Sequence, residues 1–271
     1  MSELGPELTK LFQEQMNNLV SGKIVSLVGP ANYMLGSSHG VEIEDSDVVV
    51  RLNRGFETCK NYTEDMGNRT DILYSCLIEK QANAGKIDVD RLVEEDIKII
   101  CAPPHSDYDG RTIVTKMYDE STNLTKITDQ FHQMVDRNTV NNILAKGIAT
   151  RVIPSSMNEW VRQRVLCKPN TGFLSIYDLL SFQPKILKIF GISFYLDGFI
   201  PGEKKGVEKE KNCTEQEFAD MAFNSKRHIQ PNMWKVAKET LLTEPAVQLD
   251  PQLRKILEMD NFSRESYRAL K

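Results

Sequence analysis

Long apolar runs are missing from this chain: no stretch approaches the ~20 consecutive hydrophobic residues that a helix needs to cross a bilayer. The N-terminus also lacks a charged segment followed by an apolar one, the pattern of a secretory leader. The expectation is a protein with no membrane span and a cytoplasmic location. Cysteine is sparse and poorly spaced for metal chemistry. Cys59, Cys76, Cys101, Cys167 and Cys213 are odd in number, no two form a C-x-x-C pair, and Cys76 and Cys101 lie in strand-like runs. Free thiols in a reducing compartment follow, in place of a disulfide framework or a zinc site. Asn61, Asn68, Asn123 and Asn212 each open an N-x-[ST] sequon, which has no use in a chain that stays outside the secretory route. Positive charge is short as well. With 34 Lys and Arg against 38 Asp and Glu, the net charge of −4 neutralises no polyanion, so nucleic acid is excluded as a partner.

What is present is an ordinary globular mixture, 40% hydrophobic and 27% charged. A length of 271 residues buries a large core, and the expectation is one domain over residues 1–271. Residues 1–20 carry Leu4, Leu8, Leu11, Phe12, Met16 and Leu19 near helical spacing, an amphipathic helix with its stripe turned to the core. Short apolar runs at residues 24–28, 48–52, 71–76, 97–101, 151–153 and 186–190 read as strands. Helical periodicity marks 89–94, 125–135, 140–145, 156–165, 172–182, 215–224 and 231–242. The alternation predicts an α/β, Rossmann-like domain with a mostly parallel central sheet flanked by helices. Ligands of such sheets sit outside the carboxyl ends of the strands, where the strand order switches. In residues 197–212, Gly198, Gly202 and Gly206 interrupt a charge-rich stretch that reads as a lid or as a surface loop. There Lys204, Lys205, Lys209 and Lys211 interleave with Glu203, Glu208 and Glu210, which favours solvation.

The first strand runs into Gly29, Pro30, Ala31 and Asn32, then Gly36, Ser37 and Ser38. A strand leaving into small residues lets backbone approach a ligand and aim amides at an anion. By itself it is equally a tight turn in the frame. The next strand ends in Arg51-Leu52-Asn53-Arg54, polar for the exit of an apolar run, and solvated arginines are the plain alternative there.

In order, Val28-Gly29, Gly36-Ser37, Gly40, Glu42-Ile43 and Asp47 through Arg54 resemble the large sialylmotif of glycosyltransferase family 29, the sialyltransferases. Gly67-Asn68-Arg69-Thr70-Asp71 is similar to the G-x-R-T element that closes that motif. Pro169-Asn170-Thr171-Gly172, with the helix and strand up to Gly191, resembles the small sialylmotif. A T-G turn opening a helix also offers free N–H groups and a positive dipole end to an anion, although Thr171 serves equally as a plain N-cap.

The resemblance implies a variant of the GT-A type of glycosyltransferase fold. It implies transfer of a sialic acid, or a related 2-keto acid sugar such as Kdo, from its CMP ester to a glycan hydroxyl, with inversion and without a metal or other cofactor. The partners implied are the CMP-sugar donor and a glycan acceptor. Such chemistry needs a base for the acceptor hydroxyl, and histidine titrates in the right range. Of the four histidines, His39 lies inside the large motif, His105 follows two prolines and His132 sits in a helical stretch. His228, just before the segment 231–242, falls where the family has the H-x-x-x-E motif, which makes it the catalytic candidate. Gly29, Asn32, Asn53, Asn170, Thr171, Gly172 and Gly191 are the donor-binding candidates. Tyr195, in Phe194-Tyr195-Leu196-Asp197, is the nearest match to the family's H-Y-Y-E element and a candidate partner of the leaving phosphate.

The chain departs from the family pattern in places. Pro30 replaces the asparagine of G-N-S-G, with Asn32 two residues on as a substitute, and Asn232 replaces the glutamate of H-x-x-x-E. The cysteines paired in animal members fall near Val25 and Pro184, which points to a soluble viral or bacterial type of member. Two rivals follow: a catalytically impaired CMP-binding relative, suggested by Pro30 and Asn232, and another Rossmann-type transferase such as a methyltransferase.

Overall fold

A computed structural model describes residues 4–77, 87–104, 137–204 and 213–270. Seven strands run β1 (Ile24–Val28), β2 (Val48–Leu52), β3 (Ile72–Tyr74), β4 (Ile99–Ala102), β5 (Ala149–Val152), β6 (Ile186–Phe190) and β7 (Val247–Leu249). The larger helices are α1 (Leu4–Val20), α2 (Arg137–Ala145), α3 (Ser155–Val165), α4 (Thr171–Ser181), α5 (Glu215–Phe223), α6 (Gln230–Leu241) and α7 (Pro251–Glu258), with shorter turns between them. All seven strands pair in parallel, in the order β5-β4-β3-β2-β1-β6-β7. The expected α/β architecture is therefore present.

The order explains where a ligand fits. From β1 the chain steps outward through β2 to β5, then returns to lay β6 on the other side of β1. Connections at the carboxyl ends of β1 and β6 therefore diverge and leave a crevice between them. The strands are apolar because both faces are covered. One face packs Val25, Leu27, Val50 and Tyr74 against α1, α4 and α6; the other packs Val28, Val49 and Phe190 against Met34, Ile43 and Met66.

Phe12, Met16 and Val20 bury the stripe of α1 as expected, but Leu11 is 54% exposed. It lies one residue before Phe12, about 100° round the helix, and so leaves the buried arc. The strand β7 and the helix α7 were outside the sequence expectation. The predicted helix at 125–135 lies outside the described residues, as do His105 and His132.

The large-motif residues mostly hold the frame. Arg51 is neither solvated nor at the strand exit: it is fully buried (0% exposed), donating from Nη2 to the Met66 carbonyl at 2.7 Å and from Nε to the Arg69 carbonyl at 3.0 Å. Burial pushes its pKa down, yet the bonded carbonyls take the charge. Asp71 accepts from the Val49 amide at 2.8 Å, and Asp47 from the Ile24 amide at 2.8 Å. Glu44 receives the Arg69 amide at 2.8 Å and the Asn68 amide, while the Arg69 guanidinium reaches the Ser46 carbonyl. Asp65 holds the Gly36 and Ser38 amides at 2.8 and 2.9 Å. Each acidic or basic side chain thus satisfies backbone that a loop between parallel strands would leave open.

Candidate active site

A cleft of about 310 Å³ opens at the switch point. Its rim comes from the exits of five strands: Pro30 and Ala31 after β1, Leu52 and Asn53 at β2, Cys76 after β3, Pro103 after β4, and Gly191 to Tyr195 after β6. Residues 168–173, Ser225, Arg227 and His228 also line it, as do Phe199, Lys204, Phe218, Met221 and Ala222. Of the predicted site residues, Asn53, Asn170, Thr171, Gly172, Gly191, Tyr195 and His228 meet here. Gly29 and Asn32 do not line the cleft. Asn32 opens a short 3-10 turn (Asn32–Met34), and Gly29 faces Gly191.

That glycine pair is a steric requirement. A Cβ on Gly29 would lie 2.4 Å from the Gly191 carbonyl oxygen, and one on Gly191 would lie 2.3 Å from the Gly29 carbonyl oxygen. Gly191 also has φ +69°, where side chains are disfavoured. The Gly29 and Ala31 amides donate to the Phe190 and Gly191 carbonyls at 2.8 and 3.0 Å, so the two exits are laced together. Asp250 braces the pair from below, accepting from the Gly191 amide at 3.0 Å and the Tyr33 hydroxyl at 2.7 Å.

The start of α4 carries the small-motif residues. Asn170, not Thr171, is its N-cap: the Asn170 Oδ1 accepts from the Phe173 amide at 2.8 Å. Thr171 and Gly172 are then the first two residues of an eleven-residue helix, and their N–H groups have no partner one turn earlier in the helix. Gly172 also lets the helix start sit on β2, since a Cβ there would lie 2.9 Å from the Leu52 Cδ1. The Asn170 side chain also acts on the Tyr195 phenol, favouring its ionised form. Burial pushes the Tyr195 phenol up to about 12, so it stays a neutral donor at physiological pH. Phe194 and Tyr195 have φ of +52° and +60°. Two consecutive aromatic residues in the left-handed region cost on the order of 1–3 kcal/mol each, a strain typical of ligand clamps.

His228 is held in one orientation. Its Nδ1 lies 2.8 Å from the Lys168 carbonyl oxygen, its amide donates to Ser225 Oγ at 3.1 Å, and its carbonyl accepts from Gln230 Nε2 at 2.8 Å. With a carbonyl as acceptor, Nδ1 carries the proton and Nε2 keeps its lone pair. Burial, then the neighbouring Arg227 and Lys168 cations, lower the His228 pKa against the opposing pull of the Lys168 carbonyl, and the ring is neutral at pH 7. Asn232 does not join it; its Nδ2 donates to the Val165 carbonyl at 2.8 Å, closing the end of α3. His39 lies apart, 3.3 Å from Glu42 and against the Phe190 ring.

The sequence reading missed the charge of the cleft. Lys168, Lys204 and Arg227 line it, and no Asp or Glu does so among the described residues. Burial and the Arg227 charge bring Lys168 down to about 8, so it is still mainly cationic at pH 7. Lys204 and Glu203 correct an expectation: they are 4% and 1% exposed, not part of a solvated loop. The Lys204 ammonium lies 4.5 Å from the centre of the Phe199 ring, which covers it as an aromatic face covers a cation. The Ile200 amide donates to the Pro30 carbonyl at 2.9 Å, and Glu215 receives the Gly202 and Lys204 amides at 3.2 Å each. The first half of the predicted lid is thus pinned beside the cleft, and residues 205–212 lie outside the described part. All five cysteines are free thiols. Among the described residues no group of His, Cys, Asp and Glu has a metal-holding arrangement, and no helix is long and apolar enough to cross a membrane.

The fold has solved counterparts. A mammalian sialyltransferase in complex with Gal-β-1-3GalNAc-ortho-nitrophenol aligns with a TM-score of 0.50 at 14% identity, covering 89% of this chain and 78% of its own. A point variant of the sialyltransferase CST-II in complex with CMP also aligns at 0.50, with 12% identity and coverage of 84% and 80%. CstII from Campylobacter jejuni with the substrate analogue CMP-3FNeuAc aligns at 0.47, with 14% identity and coverage of 84% and 80%. A comparison with curated proteins finds no match. The family model of glycosyltransferase family 29 (sialyltransferase) matches residues 7–181, well over half of the molecule. The chain belongs to glycosyltransferase family 29, the sialyltransferases.

Proposed function

We propose that the protein is an inverting sialyltransferase that moves a sialic acid from its CMP ester to a glycan hydroxyl, with His228 as the general base and no metal. Kdo is the second choice of donor sugar. The observation that carries this reading is a neutral histidine, tied through Nδ1 to the Lys168 carbonyl at 2.8 Å, on a cleft lined by Lys168, Lys204 and Arg227 and, among the described residues, by no carboxylate. A CMP-linked 2-keto acid sugar brings a phosphate and a carboxylate, and the cationic lining suits both. A divalent ion would find no anionic side chain there among the described residues.

In this mechanism the acceptor oxygen attacks the anomeric carbon and its proton passes to His228 Nε2. The bond from that carbon to the phosphate oxygen breaks, and CMP leaves with the electron pair. The open N–H groups at the start of α4, the Tyr195 hydroxyl and the cations stabilise the departing phosphate. Asn53, at φ +47° on the β2 exit, is assigned to the nucleoside side. The glycan complex of the mammalian sialyltransferase and the CMP complex of CST-II support the two substrate classes by likeness of fold.

The test is donor turnover by His228→Ala. Transfer from CMP-sialic acid should fall at least 10²-fold, the scale of general-base catalysis, while CMP affinity changes less than about threefold. A variant that keeps more than about a tenth of the wild-type rate would remove His228 from its role. Unchanged turnover in a chelator and an inverted anomeric product, read by NMR, test the other two elements.

A further inference from the structure

Lys168 meets His228 in two ways: its carbonyl receives the Nδ1 proton at 2.8 Å, and its ammonium lines the same cleft. Arg227, the residue before His228, lines that cleft too. The segments are sewn together, with the Lys168 amide donating to the Arg227 carbonyl at 3.2 Å and the Cys167 thiol directed at the Ile229 carbonyl at 3.9 Å. Base and cations are therefore held on joined segments. Of the other titratable groups on the cleft, Lys204 is an amine whose pKa burial lowers, and the Tyr195 phenol, pushed up to about 12 by burial, is neutral at pH 7. Among the described residues, no Asp or Glu on the cleft wall balances the Lys168 and Arg227 charges beside the imidazole.

We infer that His228 is a donor-gated base: the anionic donor, by neutralising the Lys168 and Arg227 charges next to it, raises the basicity of His228 and readies it for the acceptor hydroxyl. This rests on the proposed CMP-sugar site. In the free protein burial depresses the imidazole most, and the Arg227 and Lys168 cations add to it. A phosphate or carboxylate placed against those cations reverses the sign of the local field at the ring. One unit charge about 6 Å away, at an effective dielectric constant of about 40, is worth about one pH unit in a titration midpoint. Lys168 thereby acts as a positioning residue through its carbonyl and as an electrostatic gate through its ammonium. The consequence is an order of events: the base gains strength only when there is a donor to be attacked, and the rate gain comes in the donor-bound state alone.

The experiment is histidine NMR titration with and without saturating CMP. The chain has four histidines, and the spectrum of His228→Gln identifies the resonance of interest. The wild-type His228 midpoint should rise by about one pH unit with CMP. Lys168→Met keeps the carbonyl and removes the charge; its ligand-free midpoint should lie above that of the wild type, and the rise with CMP should shrink by half or more. Lys168→Arg should behave as the wild type. A wild-type midpoint that stays put while calorimetry shows CMP bound overturns the gate and leaves the donor site intact. Failure of CMP to bind at millimolar concentration overturns the donor site, and the gate with it. If Lys168→Met does not fold, the wild-type pair of titrations decides alone.

Discussion

Arg51→Met separates the two meanings that a motif arginine can have. The guanidinium is fully buried and donates to the Met66 and Arg69 carbonyls. Methionine has about the same reach and no donor, so both carbonyls lose their partner. A stranded buried polar group costs about 1–3 kcal/mol, which sets the gross loss at about 2–6 kcal/mol for the two. Removing a cation whose pKa burial already depresses gives part of this back. A net loss of about 3 kcal/mol remains, and for a chain of this size it lowers Tm by roughly 6–12 °C. Differential scanning fluorimetry reads the shift, and calorimetry with CMP well below the transition reads the site. The expectation is a large fall in Tm with CMP affinity within about threefold of wild type. A Tm within 2 °C of wild type together with lost CMP binding would show that Arg51 serves the ligand and not the frame.

Two further outcomes are expected. Burial pushes the Glu203 carboxyl up to about 7 against the pull of Lys204. The folded protein then holds a proton between pH 4.5 and 7 that the unfolded chain gives up, so stability falls as pH rises across that window and is level above it. Glu203→Gln should flatten that slope and leave the variant about 2–3 kcal/mol more stable, relative to wild type, at pH 8 than at pH 4.5; parallel urea midpoints from pH 4.5 to 8 would refute this. Tyr195→Phe keeps the ring and its strained backbone but loses the hydroxyl that meets Asn170, so kcat should fall about tenfold or more with Tm within about 3 °C. A change in Tm alone would make Tyr195 a packing residue.

How much of this was legible in the sequence depends on the range of each contact. The β1, β2 and β6 strands stand at the residues that their apolar runs mark, since a central parallel strand must be hydrophobic throughout. The strand β7 escaped because Val247–Leu249 is too short for periodicity to register. The helix α7 left a signal that went unused: Asp250 caps it and Pro251 is its first residue, a pairing of N-cap and proline that announces a helix. Lys204 was misread because alternating charge says nothing about Phe199 and Phe218, which fold around its ammonium. The cationic wall was invisible for the same reason. Lys168 and Arg227 stand 59 positions apart, and the Lys168 amide on the Arg227 carbonyl, with the His228 ring on the Lys168 carbonyl, brings them to one imidazole.

The residues that make the family recognisable and those that would perform its chemistry are therefore largely separate sets. Arg51, Asp47, Asp71, Glu44 and Arg69 are spent on backbone amides and carbonyls under the sheet. The motif residues that do reach the cleft stand at loops and strand exits: Pro30 and Ala31, Leu52 and Asn53, the Pro169 to Gly172 turn, and Gly191. Gly29 links the sets without lining the cleft. It and Gly191 stand so close that a methyl group on either would push apart the exits of β1 and β6, the two strands whose divergence creates the crevice. The width of the site is thus set from beneath by two missing side chains. This accounts for the replacement at Pro30 without loss of architecture: its carbonyl still receives the Ile200 amide, and the Ala31 amide that follows still reaches Gly191. What the change removes is a side-chain amide at the cleft. In the proposed reading, the cations, the Asn170-capped helix start, Asn53 and Tyr195 are the groups left to hold the donor.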